Sequence, residues 1–225
     1  MLHYIEGMAS VNRERRSRSD ATRAKIIGAA HDEFVEKGFH GATIASIAKR
    51  AGVAAQTVYF VFHNKVTLIS AVIDTQVMGE DEPMLPQETD WWKAAFAERN
   101  GAEALRIFIG GASPLFARAS AISEILRAAA LTDDELAATH REHEQLRLTA
   151  FREVIEMVAS KAKLREGLDV ESATDIFVTV YGDTTFYLFT VERGWSTDRV
   201  VEWFCDVVPG LLLADTSSKR RRSRA

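Results

Sequence analysis

Apolar residues recur at helical spacing along almost the whole chain, and this periodicity decides the fold class. No segment shows the strict apolar and polar alternation of a half-buried strand. The four prolines, Pro83, Pro86, Pro114 and Pro209, stand where we expect helices to begin or end. The sequence therefore predicts an all-α protein, with a small N-terminal helical unit followed by a larger C-terminal helical bundle.

Capping residues set the helix bounds expected in the N-terminal unit. The first helix is predicted to start near Ser19 or Asp20, both good N-caps, and to stop at Gly38 as a left-handed cap. Thr43 is expected to cap a second helix and Asn64 a fourth, with a third helix before Asn64. Ile26, Ile27, Ala30 and Phe34 recur on one face of the first helix, so that face is expected to be buried.

Similar signals divide the rest of the chain. Residues 80–89 are expected to form a loop, followed by a helix over 90–109 and short helices over 114–131. Thr132 and Glu135 match a capping box, which predicts a long helix to about Lys163. Asp169 is expected to cap a helix to Gly194, and Ser196 the last helix, which ends near Pro209 and Gly210.

Charge is distributed unevenly, although the net charge is only −4. Residues 12–65 contain ten Lys and Arg against five Asp and Glu, and residues 219–224 add five more basic residues, so the remaining body is acidic. A basic N-terminal piece is typical of a protein with a polyanionic partner, whereas for the tail a solvated end is an equal alternative.

One cysteine, Cys205, excludes an intrachain disulfide framework and a multi-cysteine zinc site, and a reducing cytoplasm is the expected compartment. No apolar run reaches the roughly 20 residues of a membrane-spanning helix, so no membrane partner is expected.

Residues 43–62 are the segment most informative about function. They form a predicted short helix, a tight turn at Gly52 and a second short helix, which is the helix-turn-helix layout whose second helix enters the DNA major groove. An ordinary small helical subdomain would have the same spacing. The residues expected to face DNA are Thr43, Ala55, Gln56, Thr57, Tyr59, Phe60 and Lys65.

The chemistry of these side chains suggests separate roles. Gln56 can hydrogen-bond an adenine edge, and Ala55 or the Thr57 methyl group can pack on a thymine methyl group. Tyr59 and Lys65 suit phosphate contacts, which set the register rather than read the sequence. Thr43, at a helix N-terminus, places backbone N–H groups where a phosphate can bind.

Residues 23–72 closely resemble the DNA-binding domain of the TetR family of bacterial transcriptional regulators. The run GATIASIAKRAGVAAQTVYFVFHNKVTLISAV follows the family pattern almost without a gap. Three positions depart from it: Ala54 lacks the usual capping hydroxyl group, Ala45 replaces a residue that is often charged, and Val61 replaces one that is often polar or aromatic. The resemblance covers about the first third of the chain. The matching residues are Ile26, Ile27, Ala30, Phe34, Gly38, Phe39, Thr43, Ile47, Ala48, Ala51, Gly52, Val53, Thr57, Val58, Tyr59, Phe62, Lys65, Leu68 and Val72.

The resemblance implies four segments: a basic flexible arm over residues 1–19, the helix-turn-helix domain over 20–65, an effector-binding and dimerisation domain over 66–213, and a basic disordered tail over 214–225. It implies a sequence-specific regulator that binds a double-stranded DNA operator as a homodimer. The expected regulator is a repressor that a small, largely apolar ligand releases from its operator.

Two sets of residues in the bundle are candidates for these roles. Apolar residues run nearly all the way round the last two predicted helices, which favours pairing of those helices with their twofold mates over a monomer core. The dimer-interface candidates are Phe177, Phe186, Phe189, Val200, Trp203, Phe204 and Val207. The ligand-pocket candidates are Trp92, Phe96, Phe108, Phe116, Phe151 and Tyr181, for which plain core packing is the alternative.

Other chemistry finds no support in the sequence. His140 and His143 stand three residues apart, but their charged neighbours favour a solvated face over a metal site. Motifs for hydrolases, metalloproteases and phosphate-binding loops are absent, so no enzymatic activity, catalytic residue, metal or cofactor is expected. An architectural DNA-binding protein without an effector is the alternative function, and a helical-bundle enzyme the remaining one.

Overall fold

The computed structural model describes residues 2–79 and 84–214, with side chains from Ser19 onward. Within that part of the chain no strand forms, and one isolated antiparallel bridge pairs Leu164 with Leu213. The all-α prediction is confirmed. The chain divides into two compact units, residues 1–75 (the N-terminal unit) and 76–225 (the C-terminal unit), whereas the sequence predicted the boundary after Lys65.

The N-terminal unit contains four helices, of which the last runs on past the division. They are α1 Leu2–Gly41, α2 Ile44–Ala51, α3 Ala55–Phe62 and α4 Lys65–Met78. The backbone is already helical at Leu2, so the predicted start at Ser19 or Asp20 is wrong. The arginine side chains before Asp20 and the predicted tail over 215–225 lie outside the described residues, as do positions 80–83 of the predicted loop.

Gly38 interrupts α1 with a φ of 69° and a ψ of 172°. The positive φ agrees with the predicted glycine stop, but the ψ value is not that of a left-handed cap. Ahead of it, Ile26, Ala30 and Phe34 are fully buried, so the predicted inner face of α1 is confirmed. The other three helices also contribute buried residues, and α1 packs on α2 and α2 on α3. These buried residues include Ile47, Val58, Phe62, Leu68, Ile69 and Val72.

The C-terminal unit is a bundle in which one long helix packs against four others. The helices are α5 Asp90–Ala97, α6 Gly101–Ala129, α7 Asp134–Lys161, α8 Val170–Val180, α9 Asp183–Tyr187 and α10 Thr197–Leu212, with a 3-10 turn at Pro86–Glu88 and a π-helical turn at Leu188–Glu192. Helix α6 packs on α5, α7, α9 and α10. None of the described helices is long and apolar enough to span a membrane.

Two prolines lie inside helices rather than at their ends, which corrects the expectation from the sequence. Pro114 stands within α6 and Pro209 within α10. Proline removes one backbone donor and costs a helix about 3 kcal/mol, so packing on several neighbours must outweigh that local penalty. The predicted helix over 90–109 and the short helices over 114–131 are therefore both wrong in their bounds: α5 ends at Ala97, and one helix, α6, runs through Pro114.

Three caps in the bundle test the predicted helix starts. Asp169 and Ser196 are the N-caps of α8 and α10, as expected. The predicted capping box at Thr132 is wrong: the N-cap of α7 is Asp133, whose carboxylate accepts from the N–H groups of Glu135 and Leu136 at 2.9 and 3.0 Å. A carboxylate next in sequence takes the position that the Thr132 hydroxyl group was expected to hold.

The helix predicted from Asp169 to Gly194 is broken near its middle. Tyr181 and Gly182 separate α8 from α9, and a Cβ atom on Gly182 would lie 2.5 Å from the Val178 carbonyl oxygen. Glycine is therefore needed at the break, and this close approach was not visible in the helical periodicity.

Candidate nucleic-acid interface

The turn between α2 and α3 is fixed by caps on both of its sides. Thr43 Oγ1 accepts from the Ser46 N–H at 3.0 Å, and the Thr43 N–H donates back to Ser46 Oγ at 3.2 Å. Gly52 ends α2 in the left-handed conformation, with φ 69° and ψ 33°. The Val53 N–H then donates to the Ala48 carbonyl oxygen at 3.0 Å, which completes the turn.

Helix α3 starts without a side-chain cap, as expected from Ala54. It is held by its own packing, since Val58 and Phe62 are buried in the core of the N-terminal unit. At its other end Asn64 Oδ1 accepts from the Thr67 N–H at 2.7 Å, which confirms Asn64 as the cap of α4. The helix-turn-helix unit is therefore rigidly built on both sides of the exposed helix.

The structure brings most of the predicted DNA-facing side chains to one exposed surface. Ala55, Gln56, Tyr59 and Phe60 are exposed on α3, Thr57 is half-buried at its edge, and Thr43 is exposed at the start of α2. Phe60 is 83% exposed, which is unusual for so large an apolar side chain. A helix presented in this way has the shape and exposure needed to enter the major groove.

Lys65 has a structural role within the N-terminal unit that the sequence did not indicate. Its Nζ donates to the carbonyl oxygens of Phe39 at 2.7 Å and Ala42 at 2.9 Å, and it lies 4.3 Å from the centre of the Phe39 ring. Burial lowers the pKa of this ammonium group. The side chain thus fastens the segment before Thr43 to α4, while the phosphate contact expected of Lys65 stays a prediction.

Arg50 is a second cation that pairs with carboxylates of its own unit, although it is exposed, and sequence reasoning missed this pairing. Its guanidinium group binds both carboxylate oxygens of Glu36, at 2.7 and 2.6 Å, and Glu33 Oε1 at 2.9 Å. The hydrogen bond from Arg50 lowers the pKa of Glu36. Arg50 thereby joins α1 to α2 and fixes the frame on which α3 is presented.

The predicted ligand-pocket residues come together as a closely packed aromatic cluster. Ring centres lie 5.8 Å apart for Phe108 and Phe151, 5.0 Å for Phe116 and Tyr181, and 6.0 Å for Phe151 and Tyr181. The aromatic cluster comprises Trp92, Phe108, Phe116, Phe151, Phe177, Tyr181, Phe186 and Phe204, all of them buried.

Phe96 stands at the edge of this aromatic cluster, 37% exposed and 5.3 Å from the Trp92 ring. Inside it, the Tyr181 hydroxyl group donates to the Ile109 carbonyl oxygen at 2.8 Å, and burial raises the pKa of the phenol. The rings contact one another directly, so a ligand must part them to bind among them.

A partly buried ion pair adjoins the break between α8 and α9. Arg147 Nη1 lies 3.1 Å from Asp183 Oδ2, and Arg147 Nη2 lies 2.5 Å from Glu144 Oε2. Burial raises the pKa of Asp183 to about 6 despite the neighbouring arginine. The ion pair links residues distant in sequence, and no local pattern signals it.

Four of the seven dimer-interface candidates are corrected by the structure. Phe177, Phe186, Val200 and Phe204 are at most 1% exposed within one chain, so they have no surface left to give to a partner. The other candidates, Phe189, Trp203 and Val207, are half-buried. Cys205 is half-buried on α10 as well, and burial raises the pKa of its thiol.

Comparisons with known proteins agree with this geometry. Residues 26–72 match the model of the family of bacterial regulatory proteins called the tetR family. The chain is 28% identical over 174 residues to the uncharacterized HTH-type transcriptional regulator YdeS of Bacillus subtilis, covering 77% of this chain and 81% of that protein. It is 26% identical over 176 residues to the HTH-type transcriptional repressor BepR of Brucella suis, covering 75% and 81%.

The fold is also that of solved regulators. The structure of the transcriptional regulator FadR from Bacillus subtilis in complex with stearoyl-CoA superposes with a TM-score of 0.62 at 20% identity, over 82% of this chain and 96% of that one. An exposed helix on a helix-turn-helix unit, followed by a larger helical domain, is the architecture that this chain shares with the solved regulators. Over residues 26–72 the chain thus matches the tetR family of bacterial regulatory proteins, and the curated relatives that it resembles are HTH-type transcriptional regulators.

Proposed function

We propose that the protein is a dimeric repressor that binds a palindromic operator through α3 and leaves it when a small, largely apolar ligand binds the C-terminal unit. The exposed surface of Ala55, Gln56, Tyr59 and Phe60 carries the proposal, because these side chains have no core of their own to fill. The likeness to BepR, which is named a repressor, supports the sign of regulation.

A mobility shift of the full chain on DNA upstream of its own or a neighbouring gene tests DNA binding. We expect retardation of such a fragment and not of a scrambled duplex of the same composition. Gln56→Ala is expected to lose about 1–3 kcal/mol of discrimination between cognate and scrambled DNA. Gln145→Ala, which removes an exposed glutamine from α7, is the matched control. Failure to retard any fragment at low salt contradicts the proposal.

Ligand release depends on opening the aromatic cluster. FadR was solved with stearoyl-CoA, so acyl compounds are reasonable first probes, beside phenolic compounds and apolar cations. A true effector must bind the form without DNA more tightly than the form with DNA, since equal affinity shifts nothing. We expect one such compound to raise the melting temperature of the free protein and to reverse the mobility shift.

The close packing of the same rings favours a second candidate, an architectural DNA-binding protein without an effector. The two candidates differ in salt dependence and sequence preference. An architectural protein would bind cognate and scrambled duplexes alike, with an affinity that falls steeply with salt. The repressor is expected to keep a preference for the cognate duplex at every salt concentration.

A further inference from the structure

The outward face of α3 carries no charged side chain. All eight of its residues, AQTVYFVF, are neutral. Successive residues of an α-helix turn by about 100°, so Gln56 and Phe60 lie one turn apart on the side opposite the buried Val58 and Phe62. The centre of the exposed face is therefore one amide and one phenyl ring.

Two cations close to α3 in sequence are engaged within their own unit. Arg50 is bound by Glu33 and Glu36, and Lys65 by the carbonyl oxygens of Phe39 and Ala42. Neither is positioned by these contacts to pair with a guanine edge, which arginine and lysine otherwise read. Recognition by α3 itself must then come from its amide, the hydroxyl groups of Thr57 and Tyr59, and its apolar groups.

Only one base presents an apolar group in the major groove, and that group is the 5-methyl of thymine. A glutamine amide matches the donor and acceptor pair of adenine. One helical turn advances about 5.4 Å, against about 3.4 Å for a base-pair step, so Gln56 and Phe60 reach bases one or two steps apart.

We propose that Phe60 is a specificity-determining residue that packs on the methyl group of a thymine, one or two steps from an adenine bound by Gln56. Ala55 and Thr57 flank this pair, and the Tyr59 hydroxyl group lies at the edge of the same face. Each operator half-site therefore contains an adenine contacted by Gln56 and, one or two base-pair steps away, a thymine contacted by Phe60. The inference rests on the proposed function and specifies which DNA the same surface takes.

The experiment begins with duplexes selected from a random library by the full chain. Each selected thymine is then replaced by deoxyuridine, which removes only the methyl group, and the dissociation constant is measured by fluorescence anisotropy. Loss of one buried methyl group is expected to weaken binding about fourfold at one thymine in each half-site. Replacing the thymine in both half-sites is expected to weaken it about 15-fold.

Three variants then assign the effect. Phe60→Ala is expected to bind the thymine and deoxyuridine duplexes equally, and its high exposure means that the substitution leaves the core intact. Gln56→Ala is expected to keep the difference between the two duplexes. Leu131→Ala, at a leucine that is 78% exposed in the C-terminal unit, is the control for loss of an exposed apolar side chain.

Two results overturn the inference: no thymine is sensitive to loss of its methyl group, or the sensitivity is the same in Phe60→Ala as in the unaltered protein. In either case the selected duplexes are still bound, so the proposed function stands. If the library yields no bound duplex at all, the proposed function itself fails.

Discussion

Lys65 and Arg50 show how the meaning of a basic residue depends on what surrounds it. Both belong to the segment that resembles the family domain, and both would suit a phosphate in an extended conformation. In the folded unit the Lys65 ammonium group is bound to two carbonyl oxygens and the Arg50 guanidinium group to two carboxylates. Their charges position the helices that carry the exposed side chains.

Lys65→Met is expected to lower the free energy of unfolding by about 2 kcal/mol, because it removes two hydrogen bonds from a charged donor while keeping the length of the side chain. Urea denaturation measures this loss. Lys49→Met, at an exposed lysine on α2, is the control and is expected to change stability by less than about 0.5 kcal/mol. Equal effects of the two substitutions would mean that the hydrogen bonds of Lys65 add no more stability than the solvated ammonium group of Lys49.

The sequence predicted the local features of the site but not the long-range pairings of Lys65 and Arg50. The caps at Thr43 and Asn64 and the inner face of α1 follow from local spacing, and all three were predicted. The partners of Lys65 lie 26 and 23 residues away and the Glu36 partner of Arg50 lies 14 residues away. Such pairings depend on how helices pack, so neither periodicity nor capping rules signal them.

At the scale of elements, small residues decide where helices stop. Gly52 adopts a left-handed conformation that an L side chain reaches only at a cost, and it sets the direction in which α3 leaves α2. Gly111 allows close packing instead, since a Cβ atom there would lie 2.4 Å from the Trp91 ring. The left-handed conformation of Gly52 can be predicted from the turn pattern in the sequence. The close approach at Gly111 depends on how the helices pack and is seen only in the structure.

Gly52→Ala is expected to destabilise the protein by about 1–2 kcal/mol, because alanine must take the left-handed conformation. Gly28→Ala serves as the matched comparison: a Cβ atom there meets nothing within 4 Å, and the position is an exposed helix interior. That substitution is expected to stabilise by about 0.5–1 kcal/mol. Thermal unfolding of both variants checks the opposite signs, and a common sign would contradict the account.

The break between α8 and α9 places an acid where its charge is costly. The pKa of Asp183 is about 6 in the folded protein, against 3.8 for the free side chain, and Glu124, Glu144 and Arg147 all act on it. The folded state thus holds the proton more tightly than the unfolded state. The stability that this proton contributes is complete below about pH 4 and is lost as the pH rises through about 6.

Asp183→Asn is therefore expected to flatten the dependence of unfolding free energy on pH between about 4 and 7, by up to about 2–3 kcal/mol. Urea denaturation of the variant and of the unaltered protein across this range measures the difference. Asp175→Asn, at an exposed acid on α8, controls for the change in net charge. If the unfolding free energy of Asp183→Asn and of the unaltered protein depended on pH in the same way, a group other than Asp183 would be the one that takes up the proton.

At the scale of the whole molecule, the chain consists of two compact units with different surfaces. The N-terminal unit exposes Phe60 and Gln56, whereas the C-terminal unit buries all eight rings of its aromatic cluster. On α10 and the π-helical turn, Phe189, Trp203 and Val207 stay half-buried. A protein that reads a palindromic site needs two copies of α3, and this surface is our candidate for joining them.

Light scattering in dilute solution is expected to give about twice the chain mass of 25.0 kDa. Val207→Asp is expected to return the mass to that of a single chain and to weaken operator binding, because a charge replaces apolar surface at the proposed contact. Leu131→Asp places the same charge at an exposed leucine between α6 and α7 and is expected to leave the mass unchanged. A single-chain mass for the unaltered protein would exclude this arrangement.

The lone thiol of Cys205 gives every copy of the chain one addressable point on α10. Since burial raises the pKa of that thiol, maleimide and methanethiosulfonate reagents will attach slowly near neutral pH, and mildly alkaline labelling is the practical route. In a twofold assembly, one spin label on each Cys205 would give a single label-to-label distance by pulsed electron paramagnetic resonance. Any compound that rearranges the assembly could then be followed as a change in that one distance, without an engineered cysteine.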